Sequence, residues 1–453
     1  MVEALLQPDR GQPARTIAIV APADHDGWLA VQPARVRAAL AAQRFAGTPG
    51  SHAVYADEDV QAVVVAPRPG PWMLAKLVEA LPAGTYRVAG DLGPAALGWV
   101  LGQYRFDRYR TVEDAGARVL LTTEVAAIDE TLRIAAATAL VRDLVNTGAG
   151  DLGPAELEAA ADALARRYGA TMTVTRGDAL ATGYPLIHAV GQAAEKARAP
   201  RLIELEWGDP AHPRVALVGK GVTFDTGGLD IKPAAGMRLM KKDMGGAAHA
   251  LALADLVMAA QLPVRLHLLI PAVENAIAGN AFRPGDVLRS RLGPTIENTN
   301  TDAEGRLILA DALARAGEGA PALILDFATL TGAARVALGP DLPPLFTDDD
   351  ALAQAVLAAG EALDDPLWRM PLWDGYDEML RSDIADMVNA PDGGFAGAIT
   401  AALFLRRFVP KGVAWAHMDV FAWRPAARPG RPKGGDAFAL RACYAMLKQR
   451  YPR

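Results

Sequence analysis

Cysteine and long hydrophobic runs are both scarce in this sequence. Its 453 residues include one cysteine, Cys443, which cannot form an intramolecular disulfide. A single thiol is typical of a protein in a reducing compartment, so we expect a cytoplasmic location. No stretch reaches the roughly 18 consecutive apolar residues of a membrane helix, and the N-terminal segment lacks the apolar region of a signal peptide. The sequence therefore predicts a protein without membrane partners.

Residues for several common enzyme chemistries are missing. All three serines lie outside a G-x-S-x-G motif, which excludes a nucleophile elbow. The seven histidines form no H-E-x-x-H pair, which excludes the common zinc-protease helix. A P-loop fails near Lys220, because Arg214 stands at its first glycine position and Gly221 at its Ser/Thr position. No predicted strand is followed by a G-x-G-x-x-G dinucleotide fingerprint.

An excess of positive charge is missing as well. The chain has 46 Lys and Arg against 52 Asp and Glu, which gives a formal net charge of −6 without any basic tract. Phosphate backbones and anionic lipids attract proteins through clustered Lys and Arg. Nucleic acids and membranes are therefore poor candidates for partners.

Length and hydrophobic content indicate two folded domains. The chain is 51% hydrophobic, and its 453 residues exceed the roughly 100–200 of one compact domain. Short apolar runs alternate with Ala/Leu-rich helical patterns, as expected of βαβ units. We predict a smaller N-terminal α/β domain over residues 1–127, a linker helix over 128–145 and a larger C-terminal α/β domain over 146–453.

The larger domain should contain a central, mostly parallel sheet covered by helices. Near-continuous apolar runs have the composition of strands buried on both faces: Arg214–Val218, Arg265–Ile270 and Leu323–Asp326. In the smaller domain three shorter runs predict strands: Thr16–Val20, Ala62–Ala66 and Tyr86–Ala89. The stretch 425–435, rich in Pro and Gly, predicts a surface loop.

Acidic residues and glycines are concentrated after the buried strands. The first of these strands runs into GKGVTFDTGG, LDIKP and KKDMGG between residues 219 and 246, and a second acidic group, NTDAEGR, spans 300–306. Ligands of open α/β sheets bind beyond the carboxyl ends of the strands, so the two groups can meet at one edge. The many glycines are costly in chain entropy unless the backbone approaches something closely, which favours a functional site.

Each acid also has a plain structural explanation. Asp225 could be an ordinary turn residue, and Asp243 could cap the helix that follows it. Asp302 and Glu304 could stabilise the N-terminal dipole of the next helix, Leu307–Arg315. The sequence leaves both explanations open for each residue taken singly.

Four carboxylates in one pocket would repel one another unless cations neutralise them. Asp225, Asp243, Asp302 and Glu304 carry enough charge to balance two divalent ions. Carboxylate-rich ligation without histidine favours Mn²⁺ or Mg²⁺, with Zn²⁺ as a third candidate. Lys220 beside such ions would be pushed towards the neutral amine and could then act as a nitrogen ligand. A two-metal hydrolytic site is the chemistry that these residues best support.

Three sequence blocks resemble the signature of the leucyl aminopeptidase family of two-metal cytosolic peptidases: VGKGVTFDTGGLDIKP, MKKDMGGAA and NTDAEGRL. Weaker similarity extends from about Ala139 to the C-terminus, and GWVLGQYRFDRY at 98–109 resembles the family's N-terminal domain. The resemblance implies a metallo-exopeptidase that removes N-terminal amino acids from short peptides. It also implies a homohexamer whose active sites face an internal cavity.

The resemblance also implies a role for each residue of the predicted site. One metal would hold the α-amine of the peptide, and a bridging water would attack the scissile carbonyl. Lys232 would stabilise the oxyanion, and Arg306 would anchor a bicarbonate that moves protons. Asp225 and Glu304 would bridge the two ions in a ligand set of five residues: Lys220, Asp225, Asp243, Asp302 and Glu304. The substrate would contact four further residues: Met240, Thr329, Leu330 (through its carbonyl) and Gly332.

The sequence departs from the family pattern at several positions. Asn298 is polar where an apolar strand residue is expected, and residues 146–150 read NTGAG in place of N-x-P-x-N. Phe421 and Trp423 are bulky in a segment where the family has small residues. Either these rings pack into the neighbouring core, or they narrow the pocket so that Ala or Gly is preferred over Leu as the first residue.

Two other functions stay open at this point. Some relatives combine peptidase activity with DNA binding or regulation, although this chain has no basic stripe; a salt-dependent gel shift would discriminate. A nucleotide or ADP-ribose binding module could lie in the region before the linker helix, because the family's fold there resembles such modules, although this region has no convincing phosphate loop. Titration with ADP-ribose would discriminate that function.

Overall fold

Two compact units make up the computed structural model, which describes residues 5–66, 70–89, 92–111, 113 and 115–453. The first unit contains the chain up to Ala139 together with Ala426–Lys433, and the second contains Leu140–Pro425 and Gly434–Arg453. The division falls inside one long helix, Val125–Asn146, where the sequence places the linker. Among the described residues, no helix combines the length and apolar character needed to cross a membrane.

The first unit is built on a six-stranded sheet. Its described strands are β1 (Leu6–Pro8), β2 (Arg15–Val20), β3 (His52–Asp57), β4 (Asp59–Val65), β5 (Gly84–Ala89) and β6 (Arg118–Thr122). Their order is β1-β6-β5-β2-β4-β3, and the pairing is parallel except between β3 and β4. The helices that accompany them are α1 (His25–Ala30), α2 (Ala34–Ala42), α3 (Ala75–Ala80) and α4 (Ala95–Leu101), followed by α5 (Val125–Asn146). The three strands that the sequence predicts for the smaller domain correspond to β2, β4 and β5.

A nine-stranded sheet forms the centre of the second unit. Its described strands are β7 (Thr171–Arg176), β8 (Arg201–Trp207), β9 (Arg214–Gly219), β10 (Gly221–Asp225), β11 (Arg265–Asn275), β14 (Leu323–Ala328), β15 (Pro344–Phe346), β16 (Trp368–Arg369) and β18 (Ala414–Asp419). The order is β16-β15-β18-β14-β9-β11-β8-β7, with β10 beside β11. The central strands β18, β14, β9, β11 and β10 are parallel, as the apolar runs predict.

The remaining described strands form two small sheets in the second unit. One contains β12 (Val287–Arg289), β13 (Thr295–Glu297) and β17 (Met387–Val388), and the other pairs β19 (Trp423–Arg424) with β20 (Gly434–Gly435). The Pro/Gly-rich stretch connects β19 to β20, and its residues 425–429 are exposed as expected of a surface loop.

Helices cover the central sheet. They are α6 (Pro154–Tyr168), α7 (Gly177–Gly183), α8 (Pro185–Gly191), α9 (Ala234–Met237), α10 (Gly245–Ala259), α11 (Glu304–Gly317), α12 (Gly332–Leu338), α13 (Asp350–Ala362), α14 (Gly397–Arg406) and α15 (Leu440–Arg450). Helix α10 is rich in Ala and Leu without a polar stripe, and it is buried on every side from Gly245 to Met258. Helix α15 carries Cys443, whose thiol is fully buried, and this burial raises its pKa.

The expectation of a strand at Asn298 is wrong. Strand β13 ends at Glu297, and the completely buried Asn298 follows it. The Asn298 amide nitrogen donates to the carbonyl of Arg283 at 2.9 Å, and its oxygen accepts from Asn389 Nδ2 at 2.8 Å. The polar side chain is tolerated in the interior because both ends are hydrogen-bonded.

Candidate metal centre

The parallel strands bring Lys220 and Asp225 to one edge of the central sheet. Gly219, the last residue of β9, pairs with Phe327 of β14, and the amide of Lys220 donates to the Phe327 carbonyl at 3.0 Å. Asp225 ends β10 in register with Asn275, which ends β11. This edge holds the carboxyl ends of the strands, where α/β sheets bind their ligands.

Two helices bring the other acids to the same place. Asp243 lies in a short 3₁₀ helix, Met240–Met244, directly before α10. A second 3₁₀ helix, Thr301–Ala303, contains Asp302 and leads into α11, of which Glu304 is the first residue. No side chain caps the start of α10 or of α11. The capping explanation for Asp243 is therefore wrong, although Glu304 does lie in the first turn of its helix.

Two lysines lie among the four carboxylates. Lys220 Nζ is 2.7 Å from Asp243 Oδ2 and 2.9 Å from Glu304 Oε1, and it donates to the carbonyl of Thr329 at 3.1 Å. Lys232 Nζ is 2.8 Å from Asp225 Oδ2 and also contacts Asp302 Oδ1. All six side chains thus form one connected cluster, although they come from four separate stretches of sequence.

Several oxygens of this cluster are suited to binding a metal ion. Within the described part of the chain, Asp243 Oδ2 and Glu304 Oε1 each face only the ammonium of Lys220, Asp302 Oδ1 faces only that of Lys232, and the buried Glu304 Oε2 has no hydrogen-bond partner. Ligand atoms of Asp225, Asp302 and Glu304 all lie within 4.8 Å of one another. Buried carboxylates without donors are costly unless a cation compensates them. The donor set therefore fits divalent ions.

Two acids of the cluster, Asp302 and Glu304, hold their protons tightly when only protein charges surround them. Burial, reinforced by the charge of Asp225, raises the pKa of Glu304 to about 8 and that of Asp302 to about 6. Burial also acts on Asp243, but Lys220 and Lys242 outweigh it and lower the pKa of Asp243. A cation would compete with the protons for these same oxygens.

Lys220 is fully buried, and the protein charges alone keep it protonated. Burial opposes its charge, but Asp243 and Glu304 outweigh burial and raise the pKa of Lys220. The sequence predicts the opposite direction for a lysine beside two cations. The two statements are compatible, because divalent ions on the same carboxylates would replace attraction by repulsion.

Glycine is required at two positions around the cluster. A Cβ on Gly305 would lie 2.5 Å from Lys220 Cε and 2.7 Å from its Nζ, so any larger residue would displace this lysine. Gly227, directly after the Asp225 strand, has a φ of 88°, which side chains disfavour. Its amide donates to Asp225 Oδ1 at 2.9 Å and thereby orients the carboxylate.

Two residues that the sequence did not single out orient the acids. Asn275 Nδ2 donates to Asp225 Oδ1 at 2.8 Å, and Thr301 Oγ1 donates to the Gly227 carbonyl at 2.6 Å. Asn275 was detectable, because it is a polar residue at the end of a long apolar strand. Thr301 carried no such signal, since only the fold brings it next to residue 227.

Arg306, predicted to act in catalysis, is buried beside the acids. Its Nη1 donates to the Asn389 carbonyl at 2.6 Å, whereas its buried Nε has no partner in the described structure. Burial lowers the pKa of Arg306 to about 10, which still leaves the guanidinium charged at neutral pH. The side chain therefore has a free donor in a water-poor position.

The four predicted substrate contacts lie around Asp243 and at the start of α12. Met240 and Thr329 are buried, Leu330 is partly buried and Gly332 is exposed. Thr329 Oγ1 donates to Asp243 Oδ1 at 2.8 Å, so this proposed pocket residue touches a proposed metal ligand. The loop that follows is fixed by Asp419, a residue the sequence did not single out. Asp419 accepts from the Leu330 amide at 2.9 Å and from Thr331 Oγ1 at 2.6 Å.

Neither aromatic ring that departs from the family pattern is fully buried. Phe421 and Trp423 are both of intermediate exposure, and the buried Ala422 lies between them. The guanidinium of Arg335 lies over the Phe421 ring at 4.6 Å, and Lys242 Nζ is 5.4 Å from the centroid of the same ring. Lys242 is fully buried, and this burial lowers its pKa to about 8. The surroundings of Phe421 are thus rich in positive charge.

Comparison with known families identifies the group to which this architecture belongs. Residues 139–444 match the model of the cytosol aminopeptidase family, catalytic domain, and residues 16–122 match that of the M17 aminopeptidase, N-terminal domain. The chain therefore belongs to the cytosol aminopeptidase family, a family of metal-dependent aminopeptidases. The predicted family, fold class and enzyme class are confirmed.

Similar proteins extend over most or all of the chain. A probable cytosol aminopeptidase of Syntrophotalea carbinolica is 42% identical over 370 residues, which cover 78% of this chain and 74% of the relative. A crystal structure of the cytosol aminopeptidase from Coxiella burnetii matches with a TM-score of 0.94 and 45% identity, covering 99% of both chains. The bottromycin maturation enzyme BotP, solved in complex with Mn, matches with a TM-score of 0.87 and 37% identity, covering 97% of this chain and 100% of that one.

Proposed function

We propose that this enzyme removes N-terminal amino acids from short peptides with two divalent metal ions. The observation that carries the proposal is the convergence of four carboxylates on only two lysine ammonium groups, with the buried Glu304 Oε2 left without a hydrogen-bond partner in the described structure. The proposed ligands are Lys220, Asp225, Asp243, Asp302 and Glu304, with Asp225 and Glu304 shared between the ions. Two bound ions would acidify a water molecule and polarise the scissile carbonyl.

The nature of the ions follows from the ligand chemistry. Four carboxylates and one amine suit Mn²⁺ or Zn²⁺, and Mg²⁺ is a weaker candidate because it accepts nitrogen reluctantly. The manganese complex of the similar enzyme BotP supports manganese as the first choice.

Lys232 would stabilise the negative charge that develops on the substrate. Its ammonium lies at the edge of the cluster, where it contacts Asp225 and Asp302 and keeps partial exposure of 14%. Burial opposes its charge, but Asp225 and Glu304 outweigh burial and raise the pKa of Lys232. A lysine that stays charged at the mouth of the site can donate to the oxyanion of the tetrahedral intermediate.

Arg306 would hold a bicarbonate ion that takes the place of a side-chain base. Its buried Nε is free to donate, and its guanidinium keeps a positive charge. The ion would accept a proton from the attacking water and pass it to the leaving amine. This role accounts for a site that has no histidine among its six clustered side chains.

The first residue of the peptide would lie against Met240, Thr329 and Gly332, and the carbonyl of Leu330 would accept from the substrate. Asp419 supports this arrangement, because it holds the backbone at Leu330 and at Thr331. We further propose a cytoplasmic homohexamer, in which access to the sites is limited to short peptides. Sedimentation of the purified protein tests the oligomeric state.

Hydrolysis of a panel of amino-acid amides with added Mn²⁺ tests the proposed function. We expect release of the first amino acid and none from substrates with a blocked α-amine, because the free amine is part of the recognised group. The variant Glu304→Ala should be inactive while it keeps its fold. Equal hydrolysis of blocked and free substrates would contradict an aminopeptidase.

A further inference from the structure

An arginine without a partner lies beside the proposed pocket for the first residue. Arg335 is on α12, and in the described part of the chain its side chain forms no ion pair and no hydrogen bond. Its guanidinium carbon is 4.6 Å from the centroid of the Phe421 ring. Its Nη2 is 3.6 Å from the point that a Cβ on Gly332 would occupy. The guanidinium therefore lies between Phe421 and Gly332, a proposed substrate contact.

A second cation borders the same pocket. Lys242 Nζ is 5.4 Å from the Phe421 ring centroid, and the acid nearest to it is Asp243, whose Oδ1 is 3.6 Å away. The same Oδ1 accepts from Thr329, another proposed substrate contact. Asp243 is a proposed metal ligand, so its charge is already compensated when ions are bound. Ions bound to Asp243 would also weaken the charge of the buried Lys242, so the guanidinium of Arg335 is the lasting positive charge next to Phe421.

The contact of Arg335 with the Phe421 ring does not use its hydrogen-bond donors. The N–H groups of a guanidinium lie in its plane, where they can bind both oxygens of a carboxylate. An apolar side chain in this position would cover these donors without replacing their hydrogen bonds to water. These donors can therefore be offered to an acidic group of a substrate.

We propose that the pocket selects peptides whose first residue has a carboxylate side chain, Asp or Glu, and that Arg335 binds this carboxylate. Phe421 supports the guanidinium of Arg335 on the side facing the ring. This inference rests on the proposed aminopeptidase function. It replaces the expectation that Phe421 only restricts the size of the first residue.

Glu and Gln amides provide the test, because they have the same shape and differ in charge. With the Mn-loaded enzyme, kcat/KM for the Glu amide should exceed that for the Gln amide by about 10- to 100-fold. Arg335→Met should bring this ratio close to one by lowering the Glu value while leaving the Gln value within about twofold. The control Arg166→Met removes an exposed arginine of α6 that pairs with Asp162, and it should keep the wild-type ratio.

A charge reversal gives an independent readout. Arg335→Glu should disfavour the Glu amide further and raise kcat/KM for a Lys amide relative to a Met amide. If Arg335→Met does not fold, Arg335→Lys keeps the charge without the planar donors and should show an intermediate ratio. Manganese content and circular dichroism of each variant establish that the metal site and fold are intact.

The possible results separate the two proposals. A wild-type enzyme that hydrolyses Leu or Gln amides at least as well as Glu and Asp amides overturns the acidic specificity and leaves the aminopeptidase intact. A Glu preference that survives in Arg335→Met also overturns it, because another residue would then bind the carboxylate. Failure of the Mn-loaded protein to hydrolyse any amide overturns the proposed function, and the specificity with it.

Discussion

Two lysines of opposite role can be separated by single substitutions. Lys220→Ala should lose bound metal, because it removes a proposed nitrogen ligand. The lysine lies in the cluster, in contact with Asp243, Glu304 and the Thr329 carbonyl. Lys232→Ala should keep both ions and lose roughly 10²–10³-fold in kcat, the usual cost of an oxyanion donor. Metal content per chain and kcat measured on the same preparations check both expectations. Equal metal loss in the two variants would show that the roles are assigned wrongly.

Glu304 should make the stability of the metal-free protein depend on pH. Its pKa is about 8 in the folded chain and 4.5 in the reference state, so folding takes up a proton between these values. The chelated protein should therefore lose stability as the pH rises from about 5 to about 8. Glu304→Gln is neutral throughout and should flatten this part of the curve.

Melting temperatures of chelated wild type and Glu304→Gln at pH 5.5, 6.5 and 8 measure the effect. The difference between the two proteins removes the contribution of groups outside the cluster such as Asp311, whose burial raises its pKa to about 7, and reports Glu304 together with the lysines that its charge acts on. Parallel curves would mean that Glu304 is ionised in the folded chain at every pH tested. In the wild type, manganese affinity should rise over the same range, because the ion displaces the proton.

At the scale of single elements, the start of α11 is where packing and ligation depend on each other. Gly305→Ala should push Lys220 away from Glu304, since a Cβ there would come within 2.5 Å of the lysine side chain. We expect a loss of about 1–3 kcal/mol in unfolding free energy and weaker metal binding. Gly150→Ala is the control, because a Cβ at Gly150 meets no atom within 4 Å. Unchanged manganese affinity in Gly305→Ala would show that Lys220 can move without leaving its ligand position.

The elements were predictable to the extent that their own residues determine them. The runs at Arg214, Arg265 and Leu323 were recognisable as strands because burial on both faces removes polar residues from the pattern. Strand β11 nevertheless continues to Asn275, past Pro271, where the apolar run gives no clear end. The antiparallel strands β7 and β8 were missed, since they carry polar residues on one side, as in TMTVTR.

The proposed metal ligands could be predicted from the sequence, whereas the residues that orient them were harder to predict. Lys220, Asp225, Asp243, Asp302 and Glu304 stand out because glycines and acids cluster in short stretches of sequence. Asn275 had a signal as the polar end of an apolar strand, whereas Thr301 and Asp419 act through contacts with distant parts of the chain that their neighbours in sequence do not indicate. The free guanidinium of Arg335 became visible only when the side chains around Phe421 were placed.

At the scale of the whole molecule, metal and fold should be coupled. Three of the proposed ligands, Lys220, Asp225 and Asp243, precede α10 in the sequence. The other two, Asp302 and Glu304, lie at the start of α11, so an ion would join segments that are distant in sequence. Chelation should therefore lower the melting temperature and abolish activity together, and Mn²⁺ should restore both. If chelation abolishes activity but leaves the melting temperature unchanged, metal binding adds no measurable stability to the folded chain. This result would contradict the coupling of metal and fold.

Alkylation of the single cysteine, Cys443, can measure local unfolding of the enzyme. Cys443 is enclosed in α15, and a thiol with a raised pKa reacts slowly, so modification requires the helix to separate from the catalytic unit. The rate of alkylation in mild denaturant then reports how often this part of the molecule opens, without any engineered label. Because Cys443 is the only thiol in the sequence, alkylation increases the mass of each chain once, and the fraction of modified chains measures how often this region has opened. Manganese should slow the reaction if opening at α15 also dismantles the metal centre, and should leave it unchanged if α15 opens alone.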